Sequence, residues 1–225
     1  DSDCDEYFYD VVADVRNSGA LGDNHTYWGN WFYGASKLVF DVNSSKVIKI
    51  PFVGMHSWVE DYDEETEEYL EGHDIFEEFV CAVNEENHWD YCAVEAERYA
   101  VAEEDGFAKF FAKTEFYGRV ADFHPVYIQE KCICYGDGGY KSFPSSENSK
   151  KYSEKHYSWS NTEFNGVKCL PYDWVGRAID LYGVEEVEAF LLYLKEMRIN
   201  DLHTGNIGYT FDGKPVLVDY SGFDS

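Results

Sequence analysis

The sequence predicts an α+β fold in two lobes, with an antiparallel sheet early in the chain and helices late. Three observations predict it. Two β-type runs, 37–42 and 46–50, flank the turn Asn43-Ser44-Ser45 and read as a hairpin. Residues 172–198 carry a strong helical period. After them, 207–211 and 215–218 flank Asp212-Gly213, the turn dipeptide most diagnostic of a hairpin. A chain of 225 residues suits one compact domain or two small lobes sharing a cleft.

In chain order, residues 6–16 predict a short helix, and the Gly/Asn/Asp/Ser-rich stretch 17–30 predicts a loop. The hairpin that follows is stopped by Pro51. Residues 54–88 hold much of the local acid, including Glu64, Glu65, Glu67, Glu68, Glu77 and Glu78, with Tyr69, Ile75, Phe76, Phe79 and Val80 recurring among them. This stretch is expected to be a solvated helical insertion. Residues 89–104 predict a clearer helix ended by Asp105-Gly106, and strands are expected near 114–119 and 126–134. The Gly/Ser/Asn/Lys-rich stretch 136–168 reads as a long loop that concentrates positive charge in Lys141, Lys150, Lys151, Lys155 and Lys168. The helical stretch beyond it breaks near Gly183, and its second half presents Val187, Phe190, Leu191 and Leu194 on one face.

Composition narrows the function classes. Hydrophobic residues at 44% and aromatics at 18% supply a core and argue against wholesale disorder. Eighteen Lys and Arg against 44 Asp and Glu leave a net charge of −26, which repels nucleic-acid backbones and anionic lipid. Neither nucleic acid nor a membrane is therefore an expected partner. The six cysteines form no CxxC pair and match neither a zinc site nor a small disulfide scaffold, so reduced thiols and a cytoplasmic location are expected. Cys132 and Cys134 are expected on one face of a strand. No apolar run reaches the ~20 residues of a membrane span, and no signal peptide is visible at the N-terminus.

The chemistry concentrates near the end of the chain. Asn200-Asp201-Leu202-His203-Thr204-Gly205-Asn206 leaves the last helix and enters the hairpin, whose far end delivers Asp219 in Val218-Asp219-Tyr220-Ser221-Gly222-Phe223. Two carboxylates and an amide oxygen can thus converge, and such hard ligands suit Mg²⁺ better than zinc. His203 reads as structural, packing under the loop. A lone Val-Ile-Lys is usually an edge strand with a solvated lysine.

The order and spacing of Asp201, Asn206 and Asp219 resemble the catalytic loop and metal-binding Asp of the protein-kinase superfamily. The wording Asp-Leu-His-x-Gly-Asn is similar to aminoglycoside and choline kinases, and its continuation most resembles compact kinase-like proteins of tailed phages. The resemblance implies a bilobal protein-kinase-like fold. An antiparallel-sheet N-lobe would span residues 1–131 with the acidic insertion at about 54–88, and a reduced helical C-lobe would span 132–225.

The resemblance also implies roles. Lys49, in Val47-Ile48-Lys49-Ile50, would orient the α- and β-phosphates of ATP, held by Glu95, with Glu97 the alternative. Gly34 would lie in the nucleotide-covering turn, although the full GxGxxG is absent. Glu130 and Cys132 would contact the base through their backbones. Asp201 would position or deprotonate the acceptor hydroxyl, and Asn206 and Asp219 would hold Mg²⁺. Implied partners are ATP and a host protein phosphorylated on Ser, Thr or Tyr, in the host cytoplasm for a phage-encoded chain. A small-molecule kinase and a pseudokinase or acidic decoy that blocks a host protein are the alternatives.

Three features depart from the family pattern. Ile199-Asn200 replaces the usual His-Arg, the Gly-rich loop is degenerate, and six residues follow Asp219. Either the inserted regions 54–88 and 136–171 grip the substrate, or the chain is a compact kinase with unusual recognition, or it is truncated after Ser225.

Overall fold

The structure is a computed structural model, which describes residues 2–19, 31–34, 36–59, 62–63, 68–69, 73–80, 90–121, 124–157 and 170–222. In chain order the first elements are α1 (Ser2–Asn17), β1 (Trp31–Tyr33), β2 (Lys37–Asp41), β3 (Lys46–Pro51), β4 (Val53–Val59), β5 (Tyr62–Asp63), β6 (Glu68–Tyr69) and β7 (His73–Val80). There follow α2 (Tyr91–Glu104), β8 (Thr114–Val120), β9 (His124–Glu130), β10 (Ile133–Cys134), the single turn α3 (Tyr140–Ser142) and α4 (Glu147–His156). The chain continues through α5 (Tyr172–Tyr182), α6 (Val184–Glu196), β11 (Ile207–Tyr209) and β12 (Pro215–Leu217).

The fold is mixed α+β. An antiparallel sheet runs in the order β1-β2-β3-β9-β8, and β10-β11-β12 form a second, three-stranded antiparallel sheet. Two compact units interleave along the chain. The first comprises residues 1–43, 48–92 and 116–127, and the second residues 44–47, 93–115 and 128–225.

The core of the first unit follows from two periodicities. Phe8, Val11, Val12 and Val15 recur at helical spacing on α1, while Leu38 and Phe40 on β2 and Ile48 and Ile50 on β3 alternate. All are buried in one cluster with Phe52, Val120 and Val126. The Phe8 ring lies 4.8 Å from Phe52 and 4.6 Å from Tyr33. Each such side chain contributes roughly 1.5–3 kcal/mol on burial.

Where it is described, the acidic stretch is strand rather than helix. β4 pairs antiparallel with β7 from Val53↔Val80 to Val59↔His73, with a register shift between Met55 and His56, and β5 pairs with β6. Val53, Trp58, Val59, Ile75, Phe76, Phe79 and Val80 favour strands, and that preference outweighs the helical signal of the intervening glutamates. Glu64, Glu65 and Glu67 lie outside the described residues.

The second unit is organised around α5 and α6. Trp174, Val175 and Ala178 on α5 and Val187, Phe190, Leu191 and Leu194 on α6 are buried with Phe110, Phe111, Ile207, Tyr209, Leu217 and Tyr220. Phe110 stacks on Phe190 at 4.0 Å. Part of the expected loop 136–168 is the helix α4. It escapes sequence reading because it is polar throughout, and its start is held from outside. The Ser146 side chain accepts from Ser149 N at 3.3 Å, and the Asp180 carboxylate on α5 accepts from Ser146 N at 2.6 Å and from Ser146 Oγ at 2.7 Å. Burial raises the Asp180 carboxyl, but the hydrogen bonds from Ser146 and Ser149 and the Arg177 charge leave it below its usual range. Residues 158–169, including Lys168, lie outside the described set.

Candidate functional site

The end of α6 aims the first candidate residue. Ile199 N donates to Leu194 O at 2.9 Å and Arg198 N to Lys195 O at 3.2 Å, the paired bonds of a Schellman turn. The turn needs a left-handed residue, and Arg198 fills that place at φ 54° where glycine is usual. The chain then buries Ile199 and Leu202 completely and leaves Asp201 between them, its side chain 35% exposed.

Asn206 gathers the loop. Its Nδ2 donates to the Asp201 carbonyl at 2.7 Å and to Asp201 Oδ2 at 3.2 Å. Its own carbonyl accepts from Val218 N at 2.7 Å and Asp219 N at 3.1 Å. One buried residue thus ties Asp201 on one side to Asp219 on the other. With Nδ2 turned to Asp201, the amide presents Oδ1 on its opposite side. Asp219 Oδ1 accepts from Ser221 Oγ at 3.1 Å. The spacing that allows this meeting is set by the β11–β12 hairpin, closed by Thr210 N to Lys214 O and Gly213 N to Thr210 O, each 2.9 Å.

His203 does not pack beneath the loop as expected from sequence; its side chain is 58% exposed. Its Nδ1 accepts from Gly205 N at 3.0 Å, so it braces the turn from the solvent side. That close approach explains Gly205, where a Cβ would lie 2.8 Å from the His203 ring. In neutral His203 the proton then sits on Nε2, 3.9 Å from Asp201 Oδ1, too far for a hydrogen bond.

Around this loop the second unit holds a buried polar group that sequence reasoning missed. Gln129, fully buried on β9, donates from Nε2 to Thr114 Oγ1 at 2.8 Å and to the Val218 carbonyl at 2.9 Å. A carbonyl at Val218 needs a donor, which fixes the amide orientation. Gln129 Oε1 is buried and receives no hydrogen bond from the described residues. The Tyr220 hydroxyl lies 2.8 Å from both Ala112 O and Thr114 Oγ1. Burial, followed by the nearby Glu95 charge, pushes the Tyr220 phenol far above its ordinary range. Glu95 on α2 is itself fully buried, whereas Glu97 is exposed. Arg98, one turn along α2 from Glu95, donates to the carbonyls of Tyr220, Ser221 and Met197. Its position one helical turn beyond Glu95 was the available sequence signal.

The remaining expected residues are placed as follows. Lys49 belongs to the first unit. It lies on β3, the central strand of the five, and is 3% exposed, so it is neither an edge-strand nor a solvated lysine. Since Ile48 and Ile50 face the core, Lys49 faces the other side of the sheet. Gly34 is exposed between β1 and β2, where its N donates to Lys37 O at 3.0 Å and a Cβ would meet nothing. Among the described residues no contact demands a glycine there. Glu130 in the second unit is exposed; its N donates to Lys113 O at 2.9 Å and its carbonyl accepts from Cys132 Sγ at 3.5 Å. Cys132 precedes the two-residue strand β10, so it does not share a strand face with Cys134. Cys92 is buried, and Cys132 and Cys134 are half-buried.

Among the described residues no group of three or more His, Cys, Asp or Glu is placed to hold a metal. The groups on the loop that could hold one are the carboxylates of Asp201 and Asp219 and the amide oxygen of Asn206. All are hard oxygen ligands, and a site of this size fits Mg²⁺ that keeps waters and phosphate oxygens.

Fold and site together define a mixed α+β chain, built on an antiparallel five-stranded sheet, with an Asp/Asn/Asp loop supported by a buried polar network. Comparison of the chain with protein-family models, curated proteins and solved structures finds no match. No helix among the described residues is long and apolar enough to cross a membrane.

Proposed function

We propose that this chain is an ATP- and Mg²⁺-dependent phosphotransferase, a compact kinase whose acceptor is a hydroxyl on a host or partner protein. The observation that supports it most is Asn206, which bonds to Asp201 through its side chain and to Asp219 through its carbonyl. Residues five and thirteen positions apart are thereby presented together, in the order and types that phosphoryl transfer uses.

In this reading Asp201, whose side chain is 35% exposed, accepts a hydrogen bond from the acceptor hydroxyl and aligns it for attack. Asn206 Oδ1 and the Asp219 carboxylate would hold the metal. Mg²⁺, when bound, supplies charge neutralisation on the phosphate oxygens. Lys49, buried on a central strand, would contact the α- and β-phosphates. Such catalysis rests on positioning and electrostatics, so few groups suffice.

The test is incubation of the chain with labelled ATP and Mg²⁺, alone and with candidate acceptors, beside Asp219→Ala and Lys49→Ala. Wild type should turn over ATP or label itself, and Asp219→Ala should lose roughly a thousandfold of that activity. Lys49→Ala should lose the thermal shift that nucleotide produces. Metal-dependent ATP binding without turnover would favour a pseudokinase, and neither binding nor turnover would remove the kinase reading.

A further inference from the structure

We propose that Arg98 is a positioning residue that holds the Asp219 segment in register with the Asp201 loop and so sets metal affinity. The inference rests on the phosphotransferase reading above.

Asp219 is pinned from both sides. Its own N–H is held by the Asn206 carbonyl at 3.1 Å. The next two carbonyls, of Tyr220 and Ser221, are both held by Arg98 Nη1. The same guanidinium reaches the Met197 carbonyl from Nη2 at 3.4 Å. Met197 is the cap residue of α6, where the helix leaves carbonyls without partners and the macrodipole favours a cation. One planar fork therefore joins the backbone that launches the Asp201 loop to the backbone just after Asp219. The fit is close, since a Cβ on Gly222 would lie 3.1 Å from Nη1.

The choice of residue matters. A guanidinium presents several N–H donors in a fixed plane, whereas an ammonium is a point charge that cannot reproduce that fork. The hydrogen bonds of Arg98 to these segments go to backbone carbonyls, so Arg98 shapes them without touching substrate.

The experiment measures ATP turnover against Mg²⁺ concentration for wild type, Arg98→Lys and Arg98→Ala, with thermal melts in parallel. Arg98→Ala should raise the Mg²⁺ concentration for half-maximal rate about tenfold, as loss of supporting groups around a metal does. The KM for ATP at saturating Mg²⁺ should stay within about twofold, and millimolar guanidinium should restore part of the Mg²⁺ response. Arg98→Lys should fall between the two, and it carries the test where Arg98→Ala does not fold. An unchanged Mg²⁺ requirement in a folded variant with a lowered melting temperature would overturn the inference and leave the kinase reading standing. A wild-type chain that shows no Mg²⁺-dependent response would overturn both.

Discussion

The β2–β3 and β11–β12 hairpins are built by the same local rules and held by different forces. In the first, Leu38, Phe40, Ile48 and Ile50 alternate onto one apolar face against α1, and the turn Asn43-Ser44-Ser45 is exposed. In the second, every strand residue is buried, so the backbone itself is out of water. Its polar groups must then find partners elsewhere. Trp174 Nε1 donates to Gly208 O at 3.1 Å, Gln129 Nε2 to Val218 O, and the Ala112 N–H to Leu217 O at 2.8 Å. Apolar alternation can place the first hairpin, whose strands are buried except toward the turn. The second is placed by donors drawn from distant parts of the chain, and this is the one that carries Asn206 and Asp219.

Substitutions can break that contrast. The largest effect is expected at Gly213, a buried residue in the turn between β11 and β12. Gly213 sits at φ 83°, and a Cβ there would lie 2.6 Å from the Phe143 ring. Gly213→Ala should cost about 2–3 kcal/mol in chemical denaturation, combining left-handed strain with the clash. A neutral result would mean that this turn is as tolerant as the one between β2 and β3.

Gln129→Leu should cost less, about 1 kcal/mol. It removes donors from Val218 O and Thr114 Oγ1, but it also removes the buried Oε1 that has no donor among the described residues, and the two terms oppose each other. A stabilised variant would show that the amide does not hold the hairpin. Arg198→Gly should stabilise the chain by a few tenths to about 1 kcal/mol, because it relieves a left-handed arginine at the end of α6. An accompanying fall in ATP turnover would tie that strain to the aim of the Asp201 loop. Ser44→Ala in the exposed turn should change stability by less than about 0.5 kcal/mol, measured in the same way. A larger loss there would remove the contrast between the hairpins.

The legible parts were those whose signal is local. The break at Gly183, the stop at Asp105-Gly106 and the Asp212-Gly213 turn appear where turn chemistry places them, and Gly183, Gly106 and Gly213 all adopt positive φ. The face of α6 was readable because Val187, Phe190, Leu191 and Leu194 share a helical stripe. The β4–β7 pairing was misread because scattered glutamates imitate a polar helix face when the strand partner lies well beyond a local window, from Val59↔His73 to Val53↔Val80. α4 was missed because its apolar content is low and Asp180, which anchors its start, is 34 positions from Ser146.

For the candidate site, residue types and order were readable, while the support was not. Nothing near Gln129 in the sequence points to Thr114 or Val218, and nothing near Arg98 points to Met197, Tyr220 and Ser221. Turn-forming residues, helical stripes and the Asp-x4-Asn spacing are properties of neighbours in the chain, so the sequence by itself determined them. Which buried carbonyl meets which donor depends on segments up to 123 residues apart, as for Arg98 and Ser221. Only the folded chain decides that, because a buried polar group must be paired and local sequence does not say by whom.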